Sequence, residues 1–401
     1  MLLLKHNTLD FNDLITIERQ YLRWSKSSRP FVTTEFNVLD YNRTDLYGHL
    51  LGMFDRLGVL STLDVTVSQL LDFLVDVDLA YNDTPYHSFY HAADIVSILY
   101  FAMTDLGAKS YLTQTEIAVL FVAAVCHDVG HPGFNNDYQI KTKSEYAIRY
   151  NNKSVLESLS IDISLILFEK HQILKTPNQI DLFKRLILAT DMTFHYDLLE
   201  EARQLEDTLY MWDTPMIHTW EERDRVSFSK ILLHAADISN TVRIWPISKQ
   251  WSDLIVQEFF RQGDAEKLAG LPVSPGMDRD FATQASISLK FGDFIVKPYF
   301  EALCAILPKA SIWIETLEEN RLEWMNLKEN TPLATSISNY SRNSYVSVPA
   351  GTVVLPMTLE TRLTKPMPIS RASSHSNILI SPPQSSISSE LRRNSVQHIV
   401  S

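Results

Sequence analysis

Residues 117–126, IAVLFVAAVC, are apolar without a break and follow Thr113-x-x-Glu116. That spacing is a capping box: the threonine hydroxyl satisfies an orphan amide of the first turn, and the glutamate reaches back to the cap. A helix that starts this way and is apolar on every side belongs in the middle of a larger fold, wrapped by other helices. It runs straight into CHDVGHPGFNN, residues 126–136. Two imidazoles and a carboxylate at the end of a buried element are costly unless something pairs with them.

Helical periodicity extends over nearly everything from residue 36 to 330. Apolar residues recur at three and four in LGVLSTLDVTVSQLLDFLVDVDLAY. The segments KSEYAIRYNN, IDLFKRLILAT, DRVSFSKILLHAADI, SKQWSDLIVQEFFRQGD and FATQASISLKFGDFIV also read as helical. The breaks, such as AYNDTPYH and LPVSPGMD, are short and polar, and alternating runs are scarce. The fold class is therefore all-α, with more than ten helices. Residues 1–30 read as an N-terminal extension or partner-contacting helix, residues 31–330 as one compact body, and residues 331–401 as a Ser/Pro-rich tail. Eleven serines fall within residues 370–401. Such a tail cannot bury enough apolar surface to fold alone and is expected to be disordered.

The net charge of −12 is uneven, because residues 331–401 carry six Lys/Arg against two Asp/Glu. The body is thus more acidic than the whole chain, which argues against a nucleic-acid partner. An anionic substrate would be drawn by bound cations instead. Two cysteines, Cys126 and Cys304, provide no disulfide framework and suit a reducing compartment. No segment approaches the ~18 apolar residues of a membrane span, and the three leucines at the N-terminus are too few for a signal peptide. A cytoplasmic protein is expected. In the tail, LRRNSVQ places Ser395 two residues after an arginine pair. Basic-directed protein kinases favour that pattern, and a phosphate there would add nearly two negative charges. Oligomeric state is not legible.

His127-Asp128 alone is weak evidence for a site. Upstream, however, HSFYHAAD sets His87 and His91 four apart, the spacing of one helix face. Downstream, LLHAADISN places Asp237 three residues after His234 at the end of another apolar run. Three segments thus deliver His or Asp where an apolar stretch meets a polar loop. Either three separate satisfied clusters or one metal centre would account for this; imidazole suits Zn²⁺, and carboxylate suits Zn²⁺ or a harder ion.

The order H…HD…D resembles the HD superfamily of metal-dependent phosphohydrolases. TPYHSFYHAADIV and HDVGHPGFNNDY are similar to the signature stretches of class I cyclic-nucleotide phosphodiesterases. RYNNKSVLE, LATDM, HAADISN, QWSDLIVQEFFRQGD and VSPGMD follow in family order, so the resemblance covers roughly residues 35–325. It implies that His91, His127, Asp128 and Asp237 hold one metal, Zn²⁺. Asp128 would also bridge to a second, mostly hydrated ion, Mg²⁺ or Mn²⁺. His131 and Glu157 would orient its waters, and His87 would be the general acid. Tyr86 and Asn240 would line the pocket, and Ile255 and Phe291 would clamp the base, though for both core packing is the ordinary alternative. The implied reaction is hydrolysis of a 3′,5′-cyclic nucleotide to the 5′-monophosphate, with cyclic AMP favoured over cyclic GMP.

The sequence also departs from that pattern. Ser288 stands where the family has a purine-reading glutamine, three residues before Phe291. Leu159 and Ser160 replace two histidines after Glu157, and Gly130 and Ser88 replace an acid and an asparagine. These changes keep two rivals open: a weak or inactive regulator that binds a nucleotide or partner, and a hydrolase of another phosphoester.

Overall fold

The computed structural model describes residues 2–26, 32–209 and 220–330. These residues form sixteen α-helices joined by short turns, with no strand among them. The tail over residues 331–401, including Ser395, lies outside the described residues.

In chain order, α1 (Phe11–Lys26) packs on α2 (Arg43–Arg56), followed by α3 (Val59–Leu63), α4 (Val67–Ala80), α5 (Phe89–Thr104) and α6 (Gln114–Cys126). Next come α7 (Asn136–Lys141), α8 (Glu145–Arg149), α9 (Val155–His171), α10 (Pro177–Leu188), α11 (His195–Leu209) and α12 (Glu222–Asp237). The chain continues through α13 (Trp245–Leu268), α14 (Gln284–Phe291), α15 (Lys297–Ile306) and α16 (Ser311–Asn330).

The apolar helix takes the central place its composition demands. Every residue of α6 from Glu116 to Cys126 is buried, with α3, α5, α9, α10 and α12 packed around it. The capping box forms: Thr113 N donates to Glu116 Oε2 at 2.7 Å, and Glu116 N to Thr113 Oγ1 at 3.2 Å. Arg225 Nε of α12 reaches Glu116 Oε1 at 2.9 Å, so the cap also ties α6 to α12. Helices α5, α6 and α12 all touch one another. The three segments read as carrying His and Asp are therefore neighbours in space.

Two helical readings need local correction. KSEYAIRYNN does not stay helical: α8 stops at Arg149, and Asn151, Asn152 and Ser154 take positive φ. Asparagine tolerates the left-handed region because its short side chain bonds locally. FATQASISLKFGDFIV is interrupted as well, by a π-helical turn over Gly292–Val296 directly after Phe291. Such single turns occur frequently at functional sites.

Residues 11–26 are integral to the body. Ile17, Gln20 and Trp24 are buried against α2, where Trp24 Nε1 donates to His49 Nδ1 at 3.1 Å. The close approach depends on Gly48 and Gly52: a Cβ on Gly52 would fall inside the Trp24 indole. Gly52→Ala would gain about 1 kcal/mol of helix propensity, but overpacking costs about 1–3 kcal/mol. At so severe an overlap sterics should win, and Gly52→Val should be worse. Urea denaturation is expected to show lower midpoints for both variants; an unchanged midpoint for Gly52→Val would show that α1 contributes nothing to the fold.

Candidate metal and catalytic centre

The centre lies where α5, α6 and α12 bring their ends together. His91 sits in the first turn of α5, His127 caps the C-terminus of α6 and Asp128 follows it, and Asp237 is the last residue of α12. Two helix C-termini, each with a partial negative charge, thus converge with two carboxylates, an arrangement that favours a cation. One ligand atom from each of His91, His127, Asp128 and Asp237 lies within 4.8 Å of the others. His91 Nε2 is 3.0 Å from Asp237 Oδ1, and His127 Nε2 is 3.0 Å from Asp128 Oδ2.

The hydrogen bonding around these groups fits a metal. His127 Nδ1 donates to Ala124 O at 2.9 Å, which leaves Nε2 as the lone-pair nitrogen. That Nε2 is buried and faces the carboxylates, 3.0 Å from Asp128 Oδ2 and 3.4 Å from Asp237 Oδ1, without a well-aligned hydrogen bond to either. Fixing the outer nitrogen so that the inner one is free is how metal-binding histidines are oriented. Burial disfavours a charged His127, yet Asp128 and Asp237 raise its imidazole well above its usual value. Burial alone would raise both carboxyls, but the imidazoles, His127 foremost, hold Asp128 and Asp237 below the usual carboxylate range. The cluster therefore demands a positive charge, which a divalent cation supplies without consuming a ligand nitrogen.

His87 stands beside this quartet, its ring centroid 6.0 Å from that of His91. The two are not on one helix face. Ser88 is the extended N-cap of α5, so His87 lies just outside the helix. Its position is set by Glu258 of α13, whose Oε1 accepts Tyr86 N at 2.7 Å and His87 N at 2.9 Å. Glu258 Oε2 pairs with His87 Nδ1 at 2.7 Å. Burial opposes charge on His87, but Glu258 outweighs it and raises the imidazole above its usual value. Glu258 itself would be raised by burial, yet it is held near 2, chiefly by His87. His131 stacks on His87 at 3.8 Å. Burial and then the charge on His87 push it down to about 3, keeping it neutral. Its Nδ1 accepts Gly133 N at 3.0 Å, so its proton is on Nε2.

Glu157 is held by Asn136 Nδ2 at 3.0 Å. Burial, reinforced by Asp191, pushes it up to about 8. A second cation near Asp128 would relieve this crowding of carboxyls. The departures around it are one packing solution. Gly130 has φ +83, and a Cβ there would lie 2.5 Å from Ile163 Cδ1 and 3.6 Å from Leu159 Cδ2. Ser160 Oγ donates to Val129 O at 3.0 Å. Apolar side chains of α9 thus fill the space beneath the HDVGH turn and leave room only for glycine.

On the opposite side, Asn240 Nδ2 donates to Tyr86 Oη, and the Tyr86 ring lies 4.5 Å from that of His91. Ser252, Ile255 and Glu258 recur at three-residue steps on α13, which places them along one face. Ser288 Oγ of α14 meets Ser252 Oγ at 2.9 Å, and Gln284 Nε2 donates to Ser252 Oγ at 3.1 Å. Ile255 and Phe291 are half-buried and pack against the core. His234 pairs with His195 at 2.9 Å as a buried neighbour of Asp237.

Residues 86–317, which include every candidate named above from Tyr86 to Phe291, match the model of the family described as 3′5′-cyclic nucleotide phosphodiesterase. The chain belongs to that family. The chain is 30% identical over 339 residues to the cGMP-specific 3′,5′-cGMP phosphodiesterase 3 of Dictyostelium discoideum, covering 82% of this chain and 67% of that one. It is 32% identical over 285 residues to the 3′,5′-cyclic-AMP phosphodiesterase 4C of Mus musculus, covering 69% and 41%. The phosphodiesterase domain of the RhoPDE fusion protein from the choanoflagellate Salpingoeca rosetta superposes with a TM-score of 0.70. The two are 25% identical, and the match covers 77% of this chain and 98% of that one. The chain spans 41% to 67% of the length of these two curated relatives.

Two acids at the centre were not singled out in the sequence. Glu258 lies in QWSDLIVQEFFRQGD and Asp191 in LATDM, but nothing local marks either as a partner of His87 or Glu157. Because Glu258 opposes the depressing effect of burial, Glu258→Gln is expected to lower the pKa of His87. NMR titration of the imidazole should show its protonated form persisting to higher pH in the wild type than in the variant. Coincident curves would remove Glu258 from this role.

Proposed function

We propose that this phosphodiesterase hydrolyses 3′,5′-cyclic nucleotides to nucleoside 5′-monophosphates, with cyclic AMP favoured over cyclic GMP, and so ends a second-messenger signal. The observation that carries the reading is His87, its proton held by Glu258, placed beside a four-ligand cluster that demands a cation. His91, His127, Asp128 and Asp237 would hold Zn²⁺, and Asp128 would share a second ion, Mg²⁺ or Mn²⁺, whose waters His131 and Glu157 orient. These cations supply charge that neutralises the phosphoryl oxygens and acidifies water. His87 keeps Nδ1–H on Glu258 and offers Nε2–H to O3′ as the P–O3′ bond breaks, sparing the ribose an alkoxide leaving group. Glu258 is a positioning residue: it aims the ring and stabilises its charged form. His131, neutral, contributes an Nε2–H donor next to it.

The preference for cyclic AMP is supported by Asn240. Its Nδ2 is spent on Tyr86 while its Oδ1 is buried without a partner. A free acceptor pairs with the exocyclic amine of adenine, whereas guanine presents a carbonyl at that position. Ser288, bonded to Ser252, has only a short hydroxyl where a glutamine amide would read the base. That favours, as a second reading, looser selection among phosphoesters. Tyr86, Ile255 and Phe291 would flank the base. No helix among the described residues is long and apolar enough to cross a membrane. Free Cys126 and Cys304 support a cytoplasmic setting. A basic-directed kinase acting at Ser395 remains part of the proposal.

With Mg²⁺ or Mn²⁺ supplied, kcat/KM is expected to be higher for cyclic AMP than for cyclic GMP. His87→Ala should lower turnover by roughly 10²–10⁴-fold while bound metal is unchanged. Bound metal with no turnover of either nucleotide would leave the regulator reading, and turnover of other phosphodiesters alone would leave the hydrolase rival.

A further inference from the structure

We infer that His6, Asp72 and His171 form a second binding site for a divalent cation of the zinc class, separate from the catalytic centre. One ligand atom from each lies within 4.8 Å of the others. Asp72 is on α4 and His171 is the last residue of α9, while His6 belongs to the segment that precedes α1. Glu157 begins the same helix that His171 ends. Fourteen residues of helix separate them by about 21 Å, so the two centres share no ligand.

The cluster includes one buried nitrogen with no partner. His171 is 2% exposed. Its Nε2 engages Asp76 Oδ2 at 2.5 Å, while its Nδ1 is buried and has no hydrogen-bond partner. A carboxylate on one ring nitrogen fixes the tautomer and leaves the other as a basic lone pair, the arrangement that orients metal-binding histidines. His171 also ends its helix, where the backbone contributes further negative charge. The His6 ring packs edge-on against His171 with centroids 5.0 Å apart.

The approach of His6 is held by the backbone. Asp72 Oδ2 accepts Lys5 N and His6 N, both at 2.8 Å, and Oδ1 accepts Asn7 N at 3.0 Å and Asn7 Nδ2 at 2.9 Å. Leu3 N donates to Ser68 Oγ at 3.0 Å on the same helix. With its oxygens so occupied, Asp72 contributes mainly charge, and the two imidazoles are the strong donors. Nitrogen pairs with one carboxylate suit zinc better than calcium or magnesium, which prefer oxygen. A bound ion would add a clip from His6 to α9 beyond the hydrogen bonds that already hold residues 3–7 on α4.

The test compares the full chain with His6→Ala, whose exposed side chain can be removed without opening the core. Both proteins are stripped with a chelator, titrated with Zn²⁺ and desalted, and bound zinc is counted. The wild type is expected to retain one equivalent more than the variant, with identical circular dichroism. Equal zinc content in the two would overturn the site, whatever the catalytic centre holds, because that centre contributes equally to both. Cobalt(II) spectra supply a second readout: bands that disappear in His6→Ala support the site, and unchanged bands refute it.

Discussion

Asp128 and Asp237 place two carboxylates where α6 and α12 end against the start of α5, and the two C-terminal ends add helix-dipole charge of the same sign. Negative charge concentrated this way in a partly buried position is costly unless something positive is held there. The surrounding structure answers that requirement. α6 is apolar on every side because it must run through the core to bring His127 and Asp128 to this point. Its start is tied to α12 through Glu116 and Arg225, fixing the helix that ends in Asp237. The hydrogen bond from His127 to Ala124 keeps the inner nitrogen available to a cation. His87 obeys the same logic one step out, because Glu258 buried beside it favours its charged form.

Around that fixed centre the supporting layer has been rebuilt. Leu159 and Ile163 occupy volume under the HDVGH turn, and Gly130 accommodates them with a left-handed backbone and no Cβ. At 130 and 159 apolar packing thus replaces polar side chains, while Ser160 keeps a hydrogen bond to Val129 O, and all three changes lie on the α9 side. On the α13–α14 side, Ser252, Ser288 and Gln284 form a hydrogen-bonded chain where a single long amide is the family pattern. Neither change touches the four candidate ligands or the His87–Glu258 pair.

The sequence made the quartet legible because each candidate ligand sits where an apolar helical run meets a polar loop, His91 at the start of one and the others at the ends of two, and because His and Asp are expensive there. It also made the all-α class legible, through three-and-four periodicity recurring between short polar breaks. What it hid depends on long-range partners. Glu258 is 171 residues from His87 and looks like any acid on an amphipathic helix. The integration of α1 rests on Gly48 and Gly52, which by propensity only weaken α2 and reveal their purpose only when Trp24 lies across them. The placement of His87 outside α5 turns on the extended Ser88 cap, a backbone choice that the four-residue spacing to His91 does not disclose. His6 and His171 come together only because Asp72 gathers the backbone of residues 5–7.

The central claim is that the positive charge demanded by Asp128 and Asp237 is a metal ion. Anomalous diffraction at the zinc absorption edge, on crystals of protein purified with zinc supplied, tests it directly. The account predicts a peak bonded to His91, His127, Asp128 and Asp237 at about 2.0–2.2 Å, the usual zinc–nitrogen and zinc–oxygen distance. Side chains left in direct hydrogen bonds to one another, with no peak between them, would contradict it.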